Sequence, residues 1–265
     1  MLREEEHGRG DGVDMMQSRP AGAGGGHDLL DRNRRYYDQL WSGATLIEPQ
    51  RFNTWALVQS LLPSSGRSLE VAPGLRPRLP LAAAQFVDIS APALQRLRAQ
   101  GARVVQGKVT ALPFPDGSFD LVCALDIIEH VEDDDAALGE LARVARPGAA
   151  LLLSIPLHLS YWTAFDEFVG HKRRYEPPQL LVKLAQHGLA LERSAVFGMQ
   201  PRSSRLVDLG MWWLLHHRAQ AMWWYNRVFM QLGLWFQREL RFAPGLIGTD
   251  GVDEVLLVCR RPLHA

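Results

Sequence analysis

Two rhythms of apolar positions alternate along the chain. Short, nearly continuous apolar runs bounded by turn residues predict buried strands at 68–71, 85–88, 103–106, 119–125, 149–155, 189–197 and 254–260. Between them, apolar spacing of three and four residues predicts helices at 91–100, closed by Gly101, at 134–145, ending before Pro147-Gly148, and at 178–186, closed by Gly188. Upstream, Asp28 can cap a helix running through Tyr37 and Leu40. A second helix spans 49–62 and stops at Pro63. Strands and helices in alternation imply an α/β fold, a mostly parallel sheet with helices on both faces.

The two ends and one insertion stand outside this alternation. Residues 1–27 are rich in glycine and charge. They bury too little apolar surface to offset the entropy of ordering and are expected to form a disordered tail. The core is expected over 28–200, with 249–265 supplying its closing strand. Residues 201–248 form an insertion where a short hairpin would suffice. It holds Trp212, Trp213, Trp223, Trp224 and Trp235, five of the eight tryptophans. Met222, Tyr225, Phe229, Leu232, Phe236 and Leu240 recur at helical spacing and predict one apolar face. Gln220, Arg227, Gln231, Arg238 and Arg241 gather on the other face. Arg218, Arg227 and Arg238 interrupt the run, so no stretch approaches the roughly 18 apolar residues of a spanning helix. The pattern predicts two helices from about Ser203 to Arg241 that form a lid over the sheet edge and line an apolar pocket. A membrane-surface helix and a dimer contact are the alternatives.

Composition narrows the partners. Lys+Arg and Asp+Glu balance at 29 each, which argues against a general nucleic-acid binder. Cys123 and Cys259 both fall in strand runs and are expected to be reduced core thiols. No cysteine or histidine spacing suggests a metal-ligand set, so no metal is expected. The first residues, Met1 to Glu6, carry no apolar signal core. A cytoplasmic protein is expected, with peripheral membrane contact through 203–241 as its variant.

Ligands of open α/β sheets bind beyond the carboxyl ends of the strands, near the point where strand order reverses. The first such turn is Glu70-Val71-Ala72-Pro73-Gly74-Leu75-Arg76-Pro77, where Gly74 alone offers close backbone approach. The second strand ends at Asp88-Ile89-Ser90. A carboxylate here can accept from both hydroxyls of a ribose, or cap the next helix. After the third strand come Leu112-Pro113-Phe114-Pro115-Asp116-Gly117-Ser118-Phe119-Asp120 and then Asp126-Ile127-Ile128-Glu129-His130-Val131. The stretch closes on Arg143-Val144-Ala145-Arg146-Pro147-Gly148.

The run from Leu112 through Gly148 resembles the signature of the class I S-adenosylmethionine-dependent methyltransferase family, and more narrowly its bacterial type 11 branch. The likeness spans about 68–197, with the closing strand at 254–260. It implies a Rossmann-like, seven-stranded sheet whose last strand is antiparallel. It also implies S-adenosyl-L-methionine as cofactor and methyl transfer to a small or lipid-like hydrophobic acceptor. Position by position, it implies Glu70 as the acid of the first motif, and Ala72 and Gly74 as backbone lining the cofactor. Asp88 would bind the ribose hydroxyls, Ile89 would pack on adenine and Val109 would flank it. Leu125 and Asp126 would lie under the methionine end. Ala72, Arg76 and Pro77 depart from the family's small residues, and Pro77 and Pro80 clip the first helix. Lys108, which has no acceptor, stands where the family has an acid. These departures motivate a rival reading, a non-catalytic binding or scaffold domain with a weakened cofactor site. A dehydrogenase fits less well, because its phosphate turn needs backbone NH groups and Pro73 has none.

Displacement at an activated methyl group rests on positioning, and a base is needed only if the acceptor must lose a proton. The candidates are His130, His158 and His171. His130, after the fourth strand, is either a base or an anchor for its loop. Glu132, Asp133, Asp134 and Asp135 read as charges at a helix N-terminus. His158 lies just past the fifth strand. His171 sits in Gly170-His171-Lys172-Arg173-Arg174-Tyr175, and similar family members carry a "GH.RRY" motif. Either this loop meets substrate, or Arg173 and Arg174 pair with acids while Tyr175 seats the next helix.

Overall fold

The computed structural model describes Tyr37, Asp38, Trp41, residues 44–198, Gly210, Trp212, Trp213 and residues 216–263. The expected tail at 1–27, the Asp28 cap and the start of the insertion near Ser203 lie outside the described residues.

Eight strands form one sheet: β1 (Ser68–Val71), β2 (Ala84–Asp88), β3 (Arg103–Gln106), β4 (Phe119–Ala124), β5 (Ala145–Pro156), β6 (Ala190–Phe197), β7 (Ala243–Pro244) and β8 (Glu254–Arg260). Their order is β3-β2-β1-β4-β5-β8-β6-β7. The first five pair in parallel, and β8 runs antiparallel between β5 and β6. All seven expected strands are present. The two-residue β7 is the addition, antiparallel on the edge of β6. The chain winds outward from β1 to β3, then crosses back to β4, so strand order reverses between β1 and β4.

Among the described residues, the helices bounded in full are α1 (Trp55–Leu61), α2 (Ala91–Ala99), α3 (Asp134–Val144), α4 (Ala164–Val169), α5 (Pro177–Gln186), α6 (Arg218–Trp224) and α7 (Met230–Trp235). Alternation along the strands sorts the core into two layers. Leu69, Val87, Val122, Leu151, Leu153 and Leu257 meet Leu138 and Leu141 of α3 and Leu180 and Leu184 of α5. Phe86, Leu121, Cys123, Leu152 and Leu256 meet Leu57 and Val58 of α1 and Leu97 of α2. A sheet covered on both faces needs near-continuous apolar strands, which is the pattern the sequence carries. Cys123 and Cys259 are buried free thiols on opposite faces.

The 49–62 helix is broken. Pro49–Arg51 makes one tight turn, Phe52 is extended, and α1 begins at Trp55. Asn53 turns aside to bond Gln237 and the Arg238 carbonyl. Side-chain caps start two helices: Ser90, in place of the expected Asp88, accepts from Ala93 N, and Asp133, read only as an N-terminal charge, accepts from Ala136 N. Helix α4 was not anticipated; a Thr163–Asp166 capping box starts it. Within the 112–148 stretch, two side chains of α3 hold the loop. Arg143 donates to the Leu112 and Phe114 carbonyls and to Asp116, while Glu140 accepts from Leu112 N. The loop before β4 is thereby pinned to α3.

In the insertion, α6 and α7 are joined by a wide π-turn, Tyr225–Phe229. Met230 and Leu234 pack on Ile47 and Phe52. The face expected to point inward differs: Phe229, Leu232 and Phe236 are 51%, 47% and 78% exposed. A π-turn places five residues where an α-turn places four, which rotates the following helix by about one position. Asn226, Met230 and Leu234 therefore become the buried series. Among the described residues, no helix is long and apolar enough to cross a membrane.

Candidate active site

Strands β1, β4 and β5 each end at one sheet edge on or beside a non-glycine residue in the left-handed region: Ala72 (φ 55°), Asp126 (φ 52°) and His158 (φ 57°). Each such residue costs roughly 1–3 kcal/mol and persists only where surrounding bonds hold it. Here Ala72 N donates to Val87 O at 2.7 Å, Asp126 N to Ser154 Oγ at 2.7 Å, and His158 N to Tyr175 O at 3.0 Å. Strain gathered at one sheet edge marks that edge as the place to seek chemistry.

At the first turn, Gly74 (φ 53°) donates its NH to Asp88 Oδ2 at 3.0 Å, and Ser90 N donates to Oδ1 at 2.8 Å. Asp88 is only 5% exposed, and burial pushes its pKa up to about 6 against these bonds. Glu70 accepts from the backbone NH groups of Arg78 and Leu79 at 2.8–2.9 Å. Burial raises it to about 7. Its role in the fold is to brace residues 72–79, where the shortened segment holds no helix. The Arg78 guanidinium lies 3.5 Å over the Phe52 ring and within the field of Asp126 and Glu70. Across this edge lies an N-terminal segment. Trp41 rests on Gly74 so closely that a Cβ there would fall 2.1 Å from its ring. Ser90 Oγ donates to Asp38 at 2.7 Å, and Tyr37 Oη sits 3.3 Å from the His130 ring nitrogens.

The remaining expected cofactor residues follow the strand ends. Ile89 and Leu125 are half-buried, Val109 is buried, and Lys108 and Asp126 are exposed. Asp126 bonds Ser154 and lies in the field of Glu254 and Glu129. Burial, then the Asp126 charge, raises the Glu254 carboxyl well above the usual range.

Two of the three candidate histidines come together. The His130 and His171 rings are 4.6 Å apart edge to face. Glu129 Oε1 lies 3.9 Å from His130 Nε2 and 3.7 Å from His171 Nε2. Burial, then His171, pushes His130 down to about 3, so its ring is neutral. His158 is engaged elsewhere, with Nε2 2.9 Å from Thr249 O and Nδ1 3.5 Å from Glu176. In the loop after β5, Arg173 pairs with Asp134, Arg174 with Asp166 and Asp253, and Tyr175 Oη donates to Asp134. The two arginines and the tyrosine fix the loop, and His171 is the member that enters the cluster. Sequence reasoning passed over Glu129, Glu254, Arg78 and Trp41 as site residues. Glu129 had a signal in its adjacency to His130. Glu254, the first residue of a buried strand, had one in its charge.

A family model described as a methyltransferase domain matches residues 69–153. A demethylmenaquinone methyltransferase from Roseiflexus castenholzii is 31% identical over 159 residues, covering 53% of this chain and 67% of that protein. The uncharacterized methyltransferase YcgJ of Bacillus subtilis is 31% identical over 94 residues, covering 36% of this chain and 37% of that one. The chain thus spans between about a third and two thirds of the length of these relatives. A solved S-adenosylmethionine-dependent methyltransferase from Thermotoga maritima shares the fold at 17% identity and a TM-score of 0.52, over 88% of this chain and 97% of that one. The chain belongs to the class I S-adenosylmethionine-dependent methyltransferase family. The cofactor of that family is S-adenosylmethionine.

Proposed function

We propose that the chain transfers a methyl group from S-adenosylmethionine to a small, apolar acceptor at the strand-end edge between Asp88 and His130. The observation that carries this is Asp88 at the end of β2, buried and tied to the left-handed Gly74 turn. The residues there fit the cofactor. A carboxylate offers about four acceptor sites, and the backbone NH groups of Gly74, Ser90 and Ile89 leave capacity for a ribose hydroxyl. The cofactor supplies an already activated methyl group. Ile89 and Val109 offer apolar walls for adenine, Ala72 and Gly74 offer backbone, and Glu70 holds the turn they belong to. Leu125 and Asp126 stand at the methionine end. His130 and His171 lie together beside this edge; burial makes neutral His130 a weak base, so we assign the pair to positioning and not to proton transfer.

The relative named for demethylmenaquinone supports an apolar acceptor. So does the position of α7, which packs on Ile47 and Phe52 beside Arg78. We extend the proposal to the exposed aromatic face of the insertion: it rests on a lipid surface from which the acceptor is drawn. Trp223, Trp224, Phe229, Trp235 and Phe236 are exposed there, with Arg227 and Arg238 exposed beside them. Aromatic and cationic side chains together suit an anionic interface.

One observation favours a second reading, a scaffold domain with a weakened cofactor site: Trp41 covers Gly74. Titration calorimetry with S-adenosylmethionine and S-adenosylhomocysteine separates the two. Binding is expected for both, and no heat at millimolar ligand would sink the enzyme reading. Asp88→Asn keeps an acceptor for Gly74 and should weaken cofactor binding by about 1.5–3 kcal/mol, the range for hydrogen bonds to a charged group. Unchanged affinity in a folded Asp88→Asn protein would remove Asp88 from the site.

A further inference from the structure

We propose that Glu129, His130 and His171 form a binding site for one divalent first-row transition cation, of the class that includes Zn²⁺ and Mn²⁺. The three side chains come from two separate loops, after β4 and after α4, and each offers a donor atom within 4.8 Å of the others. Glu129 is 1% exposed, and its Oε2 has no hydrogen-bond partner among the described residues. Its Oε1 is 3.7 and 3.9 Å from the histidine nitrogens, too far for a hydrogen bond. A buried carboxylate with no partner on one oxygen among the described residues, and with two imidazole nitrogens within 4 Å of the other, is costly as it stands.

Tautomer logic sharpens the case. Asp166 Oδ1 lies 2.7 Å from His171 Nδ1, and Arg174 holds the same carboxylate from 2.8 Å. A carboxylate at that distance takes the Nδ1 proton as a hydrogen bond, which leaves the Nε2 lone pair facing Glu129 Oε1. Two lone pairs 3.7 Å apart repel unless a proton or a cation lies between them. A single proton can bridge two atoms, but here three donors converge: His130 Nε2, which also has Tyr37 Oη at 3.3 Å, lies 3.9 Å from the same oxygen. A carboxylate hydrogen-bonded behind a ligating histidine is the usual support of a metal-bound imidazole. Bonds of about 2.0–2.2 Å would draw the donors together by a few tenths of an ångström to about 1 Å. Two imidazoles and one carboxylate suit zinc, manganese or ferrous iron better than magnesium or calcium, which prefer all-oxygen shells. Three protein ligands also leave positions open for water or an oxygen of a bound molecule.

The test reads metal content and does not depend on cofactor binding or turnover. Tag-free protein is stripped with a chelator, dialysed and titrated with Zn²⁺ and, for its visible spectrum, Co²⁺. One equivalent should bind with micromolar affinity or tighter, and Co²⁺ should give an absorption band typical of nitrogen and oxygen ligands. Glu129→Gln and His171→Ala should each weaken binding at least tenfold, Asp166→Asn about tenfold, and His187→Ala, at the far end of α5, not at all. Circular dichroism and melting curves verify that each variant is folded. Should His171→Ala fail to fold, the near-isosteric Glu129→Gln carries the test. No binding at millimolar metal would overturn the site, as would equal affinity in wild type and Glu129→Gln.

Discussion

Gly74 meets two separate demands, and they can be pulled apart. Its φ of 53° disfavours any side chain, and the Trp41 ring fills the space a Cβ would need. The first demand is worth about 1 kcal/mol for alanine. The second is a backbone-to-indole clash that only displacement of Trp41 can relieve, and such overpacking costs about 1–3 kcal/mol. Gly74→Ala should therefore destabilise the chain by about 2–4 kcal/mol in urea unfolding. In a Trp41→Ala background the same substitution should cost only about 1 kcal/mol. An identical cost in both backgrounds would show that Trp41 does not rest on this turn in solution. Asp88 follows the same logic of shared duty. It anchors Gly74 and Ser90, and under the proposed function it also meets the cofactor, so its alanine variant would mix stability with binding, and the amide is the cleaner probe.

At the scale of elements, the central strands were legible because burial on both faces writes them as near-continuous apolar runs; β1 and β8 match residue for residue, as does the half-exposed edge strand β3. The signature loop was legible only through its resemblance to the methyltransferase family; the Arg143 and Glu140 bonds that pin it to α3 reach mostly backbone atoms, which leave no mark on residue type. Two elements were not. The capping box of α4 lies in a loop whose helix has only six residues, too short to display a period. In the insertion, a helical wheel assumes unbroken 3.6-residue turns, and the π-turn at Tyr225–Phe229 breaks that assumption. The pairing of His130 with His171 was out of reach for another reason: it depends on how two loops distant in sequence cross the sheet edge. The shifted phase of the insertion has a measurable consequence. Trp235 and Phe236 are 82% and 78% exposed at the end of α7. Vesicles containing anionic phospholipid should co-sediment the protein, and added salt should weaken the association. Trp235→Ser with Phe236→Ser should reduce the bound fraction several-fold without lowering the melting temperature, since neither side chain is in the core. Equal partitioning of wild type and variant would remove the lipid-surface reading.

Over the whole molecule, buried ionisable groups pull stability in opposite directions with pH. Glu70 and Asp88 have folded pKa values raised to about 7 and about 6 by burial. A carboxyl raised in this way favours the fold when protonated. Its contribution is fully present below the unfolded value and is lost as pH climbs through the folded one. For Glu70 that window runs from about 4.5 to about 7. His130 has the opposite sign: burial lowers it to about 3, so its folded form resists protonation and stability is lost as pH falls below the ordinary histidine range. Because these slopes overlap, the profile of the wild-type chain alone cannot isolate any one group. The difference between two chains can. Glu70→Gln retains a carbonyl oxygen to accept from Arg78 or Leu79 NH but cannot ionise. Near pH 4.5 it should be the less stable protein, having traded a carboxyl's backbone bonds for an amide's. As pH rises to 8 the wild type must ionise a buried carboxyl while the variant does not. The variant should therefore gain relative to wild type by about 1–3 kcal/mol, most of it between pH 5 and 7.5. Urea unfolding of both proteins across that range, in chelator and without cofactor, measures the difference directly. A gap that stays constant with pH would mean that Glu70 is already ionised in the folded chain at pH 5, with the two backbone NH groups outweighing its burial.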